Sequence, residues 1–165
     1  MNKMKIKILP KSKAKEFSPD ETWAAISVST YKEEFAKLSG CKRMGLLQLE
    51  FLDAVFASTS NSKLFTAEQA EDILKFVDSV RSKIEILFVH CEAGISRSPA
   101  IGAALDYIYN GNHYKPYFQK YSPNELVFRT ILEVAAKQGR IEFDGNIPVA
   151  ELEELELEIP LEIIE

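Results

Sequence analysis

Apolar positions along this chain switch between a spacing of two and a spacing near 3.6, and the switches mark out its elements. Lys5 to Leu9 alternates lysine with isoleucine and leucine, predicting a short strand with one buried face that Pro10 ends. Ser18-Pro19-Asp20-Glu21 has Ser at an N-cap, Pro at N1 and Glu at N3, which predicts one helical turn before the strand Trp23–Val28. Thr30 to Leu38 is compatible with a short helix stopped by Gly40. Leu46 to Phe51 alternates again as a third strand, and Asp53 stands just past its end.

After the polar loop 57–64, Thr66-Ala67-Glu68-Gln69 forms a second capping box opening a helix to about Arg81. Its Ala70, Ile73, Leu74 and Val77 make a stripe for the core. The apolar run Ile84–Val89 reads as a fully buried strand, and Ala100–Tyr109 as a buried helix ending at Asn110-Gly111. Residues 113–121 gather Tyr114, Tyr117, Phe118 and Tyr121 around Pro116; these could line a substrate cleft, but packing under a loop is favoured. A third capping box, Ser122-Pro123-Asn124-Glu125, opens the last helix, whose inner face is Val127, Ile131 and Val134 and which stops before Gly139. Strands alternating with helices predict an α/β fold, a central mostly parallel sheet flanked by helices on both faces.

Charge divides the chain. Of the 165 residues, 141–165 hold nine acids and neither lysine nor arginine, so the first 140 carry a net +4 within a total of −5. The expected organisation is a domain over 1–140 and an acidic tail over 141–165. The tail alternates Glu with Leu and Ile around Pro160, a pattern that fits an added edge strand, a segment contacting a partner, or disorder. A mildly positive body suits an anionic substrate. No apolar run approaches the roughly 20 residues of a membrane helix, and no secretory signal is expected at the basic N-terminus. Two cysteines, Cys41 and Cys91, make no disulfide framework and suit a reducing cytoplasm. No Cys/His cluster has metal-ligand spacing, so neither a metal nor a cofactor is expected.

Chemistry concentrates in His90-Cys91-Glu92-Ala93-Gly94-Ile95-Ser96-Arg97-Ser98-Pro99, between a predicted strand and a predicted helix. Loop N–H groups and a helix N-terminus form an anion site, and a cysteine in such surroundings is favoured as the thiolate. Gly94 lets the loop turn its N–H groups inward. Arg97 brings a planar fork that matches two phosphoryl oxygens, which lysine would not reproduce. A merely structural reading of Cys91, a buried strand-end cysteine, leaves Arg97 without a purpose.

The loop Cys91-x5-Arg97, with the preceding His and the following Ser, resembles the phosphate-binding loop of the protein tyrosine phosphatase superfamily. Its Ser-Arg-Ser-Pro ending is most similar to the small dual-specificity branch. Weaker similarity extends over most of residues 5–138, including Asp53 and the helix start Asn124–Phe128. The resemblance implies a metal-independent phosphomonoester hydrolase working through a phosphocysteine. Cys91 would be the nucleophile and Arg97 the phosphate clamp. Ser98 would support the departing thiolate, and its plain alternative is a helix N-cap. Glu92, Ala93, Gly94, Ile95, Ser96 and Arg97 would offer backbone N–H groups to the anion. His90 would orient the loop, or is simply a satisfied core histidine.

The leaving oxygen needs an acid, which the family supplies as an aspartate upstream of the cysteine. Asp53 at a strand's carboxyl end fits, with Glu50 as competitor and a plain turn aspartate as the structural alternative. Glu92 is awkward: a carboxylate facing inward would repel a dianion, so its side chain is expected to point outward. Cys41 could pair with Cys91 on oxidation, as in some family members, although a bystander role is favoured.

The resulting expectation is a cytoplasmic protein-tyrosine or dual-specificity phosphatase whose partner is a phosphorylated, chiefly phosphotyrosine, protein. Neither membrane nor nucleic acid is expected to bind, and oligomeric state is left open. Alternatives are phosphoinositide, nucleotide or RNA 5′-phosphate substrates, or a module that binds phosphorylated partners without turnover. A rhodanese-type sulfurtransferase would not need Asp53, and an arsenate reductase usually needs more cysteines than Cys41 can supply.

Overall fold

A computed structural model describes residues 3–111 and 113–146. Four strands, β1 (Lys5–Pro10), β2 (Trp23–Ser29), β3 (Arg43–Glu50) and β4 (Ile86–Cys91), form one sheet in the order β1-β4-β2-β3. Every pairing is parallel. All four carboxyl ends therefore lie along one edge, where open α/β sheets bind their ligands.

Alternation along each strand divides the core. Ala24, Ile26, Val28, Leu87, Val89 and Cys91 face the larger cluster, under α2 (Ala67–Val80), α3 (Arg97–Tyr109) and α5 (Glu125–Lys137). Trp23, Ala25, Ile86 and Phe88 face the other side. That side is covered by α1 (Lys11–Ala14), Phe17 and the irregular segment holding Ala36 and Leu38 rather than by long helices. Phe88 packs there between Phe17 and Trp23, with ring centroids 5.0 and 5.1 Å away.

Local sequence explains how two of the helices are placed. Thr66 and Gln69 close a reciprocal capping box on α2, as its sequence predicts. α3 is buried from Arg97 to Leu105, and its small residues let it lie close against β1. At Gly102 an added Cβ would meet Ile8 Cδ1 at 2.7 Å and Tyr117 Cε1 at 2.9 Å.

Several elements differ from the sequence reading. No helix forms at Ser18–Glu21; the chain turns immediately after Pro10 as α1, which carries Ala14 over the sheet. Thr30–Leu38 holds only a 3₁₀ turn, Lys32–Glu34, because Ala36 and Leu38 are drawn down onto Trp23's side of the core. β4 starts two residues later than expected and runs through Cys91. The aromatic stretch contains a helix, α4 (Lys115–Lys120), with Pro116 in its first turn. The N-cap of α5 is Asn124, not Ser122; its side chain accepts from Val127 N.

No described helix is long and apolar enough to cross a membrane. From residue 147 onward the acidic tail, with its expected strand, partner-binding or disordered character, lies outside the described residues.

Candidate active site

The loop after β4 is built from outside. Leu9 and Pro10 of β1 pair with His90 and Cys91 of β4, so the end of β1 forms a wall behind the loop. Gly94 lies against that wall with φ +71°; a Cβ there would meet Pro10 N at 2.8 Å and Leu9 C at 3.0 Å. Handedness and space both require glycine. Three carbonyls of the loop are turned outward by separate segments. Lys11 N donates to Glu92 O at 3.1 Å, Ser122 N to Ile95 O at 3.1 Å, and Asn124 N to Ser96 O at 3.0 Å. Among the described residues, the N–H groups of Ala93, Ile95 and Ser96 donate to no other backbone group. A loop with outward carbonyls and uncommitted amides, running into the N-terminus of α3, is an anion cradle.

Cys91 lies at the floor of this cradle, 3% exposed. Its Sγ is 3.1 Å from Ser98 Oγ and accepts from Gly94 N at 3.3 Å. Ser98 is inside the first turn of α3, so it is not the N-cap; its buried hydroxyl serves the sulfur instead. Arg97 is also buried, with Nη1 donating to Thr30 Oγ1 (3.0 Å) and to Phe51 O (2.9 Å). Those bonds lock the guanidinium to the ends of β2 and β3. Its Nε is buried without a hydrogen-bond partner among the described residues. An orphaned buried donor costs about 1–3 kcal/mol, and this one, on a fork beside the loop, is placed where it could donate to an anion's oxygen.

Asp53 reaches the same loop. Its Oδ1 accepts from Ser96 Oγ at 2.8 Å and from Asn124 Nδ2 at 2.9 Å. Ser96 is the N-cap residue of α3 but makes no capping bond, because its hydroxyl is given to Asp53. Asn124 ties three segments together: its backbone holds Ser96, its carbonyl caps α5, and its amide holds Asp53 and Ala54 O. Glu50, the competing acid, is engaged by Lys63, whose hydrogen bond holds the carboxyl below its ordinary range. A carboxylate kept ionised is poorly suited to donate a proton.

No protein-family model matches the sequence, and no curated protein matches it. A solved structure, that of the human tyrosine phosphatase-like serine/threonine/tyrosine-interacting protein, superposes with a TM-score of 0.52. The match is 21% identical and covers 71% of this chain and 78% of that one. The fold is tyrosine-phosphatase-like. Human DUSP28 is similar more loosely, with a TM-score of 0.49 at 18% identity over 73% of this chain and 81% of its own.

In this tyrosine-phosphatase-like fold the remaining sequence candidates divide clearly. His90 is buried, with Nδ1 3.1 Å from Cys91 O and Nε2 2.6 Å from Ser27 Oγ. Because a carbonyl only accepts, Nδ1 carries the hydrogen and Nε2 accepts from Ser27. Burial lowers the imidazole's pKa, which matches that neutral form. The Glu92 side chain is 68% exposed and lies 3.7 Å from Lys11 Nζ, pointing away from the cradle. Cys41 is exposed and precedes the amino end of β3, whereas Cys91 ends β4, so the two thiols sit at opposite edges of a parallel sheet. That separation, roughly 3.3 Å per strand residue, exceeds disulfide reach. Tyr114 and Phe118 pack on Phe128 rather than lining a cleft.

Thr30, Ser27, Lys11 and the amide of Asn124 are site residues the sequence reading did not find. Asn124 alone left a signal, as a capping residue. Tyr31, Val55, Phe56 and Ile95 are large exposed hydrophobics, and all four belong to the segments that build this site.

Proposed function

We propose that the chain is a cysteine-dependent phosphomonoester hydrolase acting on phosphotyrosine-bearing proteins. The observation that carries the reading is the meeting of Cys91, Ser98 and the half-engaged Arg97 with Asp53 on one loop. The Cys91 thiolate attacks phosphorus as the bond to the leaving oxygen breaks, and Asp53 gives that oxygen its proton through the free Oδ2. The loop amides and the open edge of Arg97 take up the charge on the equatorial oxygens. In the second step Asp53 accepts a proton from water as it attacks the phosphocysteine, and Ser98 donates a hydrogen bond to the departing sulfur. The exposed apolar side chains Tyr31, Val55, Phe56 and Ile95, carried on the segments that build the site, favour an aromatic leaving group over a sugar or a glycerol.

Hydrolysis of an aryl phosphate by the wild type, Cys91→Ser and Asp53→Asn tests this. Wild-type turnover should be lost in Cys91→Ser and fall roughly 10²–10⁴-fold in Asp53→Asn, with KM little changed. An inert wild type that still binds phosphopeptide would make it a binding module. Activity retained by Cys91→Ser would end the proposal. Preference for a phosphoinositide or nucleotide over a phosphotyrosine peptide would move the substrate class.

A further inference from the structure

The edge strand β1 and the acidic tail carry matching patterns that nothing in the catalytic reading uses. β1 pairs only with β4 among the described residues, so its other side presents backbone N–H and C=O groups. Along that side runs a groove of about 630 Å³ bounded by β1 and by residues of α3 and α4. Ile6 and Ile8 are only half-buried in it beside Tyr117, while Lys3, Lys5, Lys7 and Lys120 surround them. No ion pair engages these lysines among the described residues. Asp106 also lines the groove, but Tyr117 and Asn110 already donate to its carboxylate.

We infer that Glu154–Ile159 of this chain's own tail adds to β1 as a fifth, parallel strand. The segment reads Glu-Leu-Glu-Leu-Glu-Ile, six residues like β1, and ends at Pro160, which cannot donate to a ladder. Placed beside Lys-Ile-Lys-Ile, its Leu155, Leu157 and Ile159 extend the face of Ile6 and Ile8. Its Glu156 and Glu158 fall on the face of Lys5 and Lys7. Apolar and opposite-charge neighbours across strands both favour the pairing. A one-residue slip would reverse both matches, so the pairing is specific in register.

The direction follows from where the chain leaves the body. Arg140 bonds to Asp78 and to Tyr109, at the end of α3, and the adjacent Asn110 donates to Met4 O just before β1. The chain thus departs at the amino end of β1. Ile141 and Phe143 pack against the core, so the linker to the added strand is residues 147–153, which reach roughly 23 Å when extended. Lysines on an edge strand by themselves only deter pairing; here the chain carries the acidic complement.

Amide hydrogen exchange on the full chain tests the inference. The outward N–H groups of β1 should exchange at least tenfold more slowly in the wild type than in Leu155→Asp/Leu157→Asp. Lys5→Glu/Lys7→Glu should lose the same protection, and adding Glu156→Lys/Glu158→Lys should restore it. That rescue separates docking from general destabilisation of β1. Equal exchange in wild type and both variants would overturn the inference. Protection that disappears on dilution would overturn it too, since the tail would then be borrowed from a second copy.

Discussion

His90 ties the site to the pH of its surroundings through burial. Its folded-state pKa lies below the ordinary value of 6.5, first because burial disfavours the imidazolium. Above about 6.5 both folded and unfolded chains hold it neutral, and its stabilising contribution is complete. As pH falls below that value the unfolded chain binds a proton that the folded one refuses, so stability declines until the folded pKa is reached. Thermal unfolding should therefore show Tm falling between pH 7.5 and 5.5, with a flatter profile in His90→Asn. The lowered carboxyls of Glu50 and Asp78 act only at more acidic pH, outside that window. Parallel profiles for wild type and variant would contradict the assignment. Asn124 makes a second residue-scale prediction. Asn124→Asp keeps an oxygen to cap α5 but replaces the amide that holds Asp53 by a like charge. Aryl phosphate turnover should drop tenfold or more while Tm shifts by only a few degrees. An unchanged kcat would show that Asp53 needs no such hold.

At the scale of elements, the loop and the helix it starts behave as one piece. Gly94→Ala combines a left-handed backbone, costing about 1–2 kcal/mol in an L-residue, with a clash against the backbone of Leu9 and Pro10. Backbone cannot step aside as a side chain can, so the loop must deform. Inorganic phosphate, measured by competition against an aryl phosphate, should bind this variant far more weakly, although its sheet persists by circular dichroism. Much of this was legible in the residues, since Cys91, Arg97 and Gly94 each have few alternative uses in a strand–loop–helix. The capping box of α2 was equally plain because Thr66 and Gln69 act locally. Ser18 and Ser122 carry the same local signal and cap nothing, because tertiary demands overrode it. The chain must reach Trp23 extended, and Asn124 sits where its amide can meet Asp53. Asn124 and Asp53 are 71 residues apart, and no local pattern encodes that bond.

For the whole molecule, the strands were visible in sequence but their order was not. Period-two runs announce β1 and β3, and continuous apolar runs announce the buried β2 and β4. The order β1-β4-β2-β3 depends on pairings between residues 63 and 81 positions apart, such as Trp23 with Ile86 and Lys5 with Ile86. The second face was also misjudged, since a turn of helix and an irregular segment suffice to cover Trp23 and Phe88. The order leaves two edge strands, β1 and β3, and it is the lysine-bearing β1 that the tail's charge complements.

The outward carbonyls of Ile95 and Ser96 also set a timetable for making the protein. Their donors, Ser122 and Asn124, emerge from synthesis well after Cys91. At roughly 5–20 residues per second, the interval from Arg97 to Asn124 lasts a few seconds. During it Cys91 exists in a loop whose carbonyls at Ile95 and Ser96 are not yet held outward. A nascent chain halted before Asn124 should not bind inorganic phosphate, whereas the released full chain should. The loop takes its final shape only when the last helix docks.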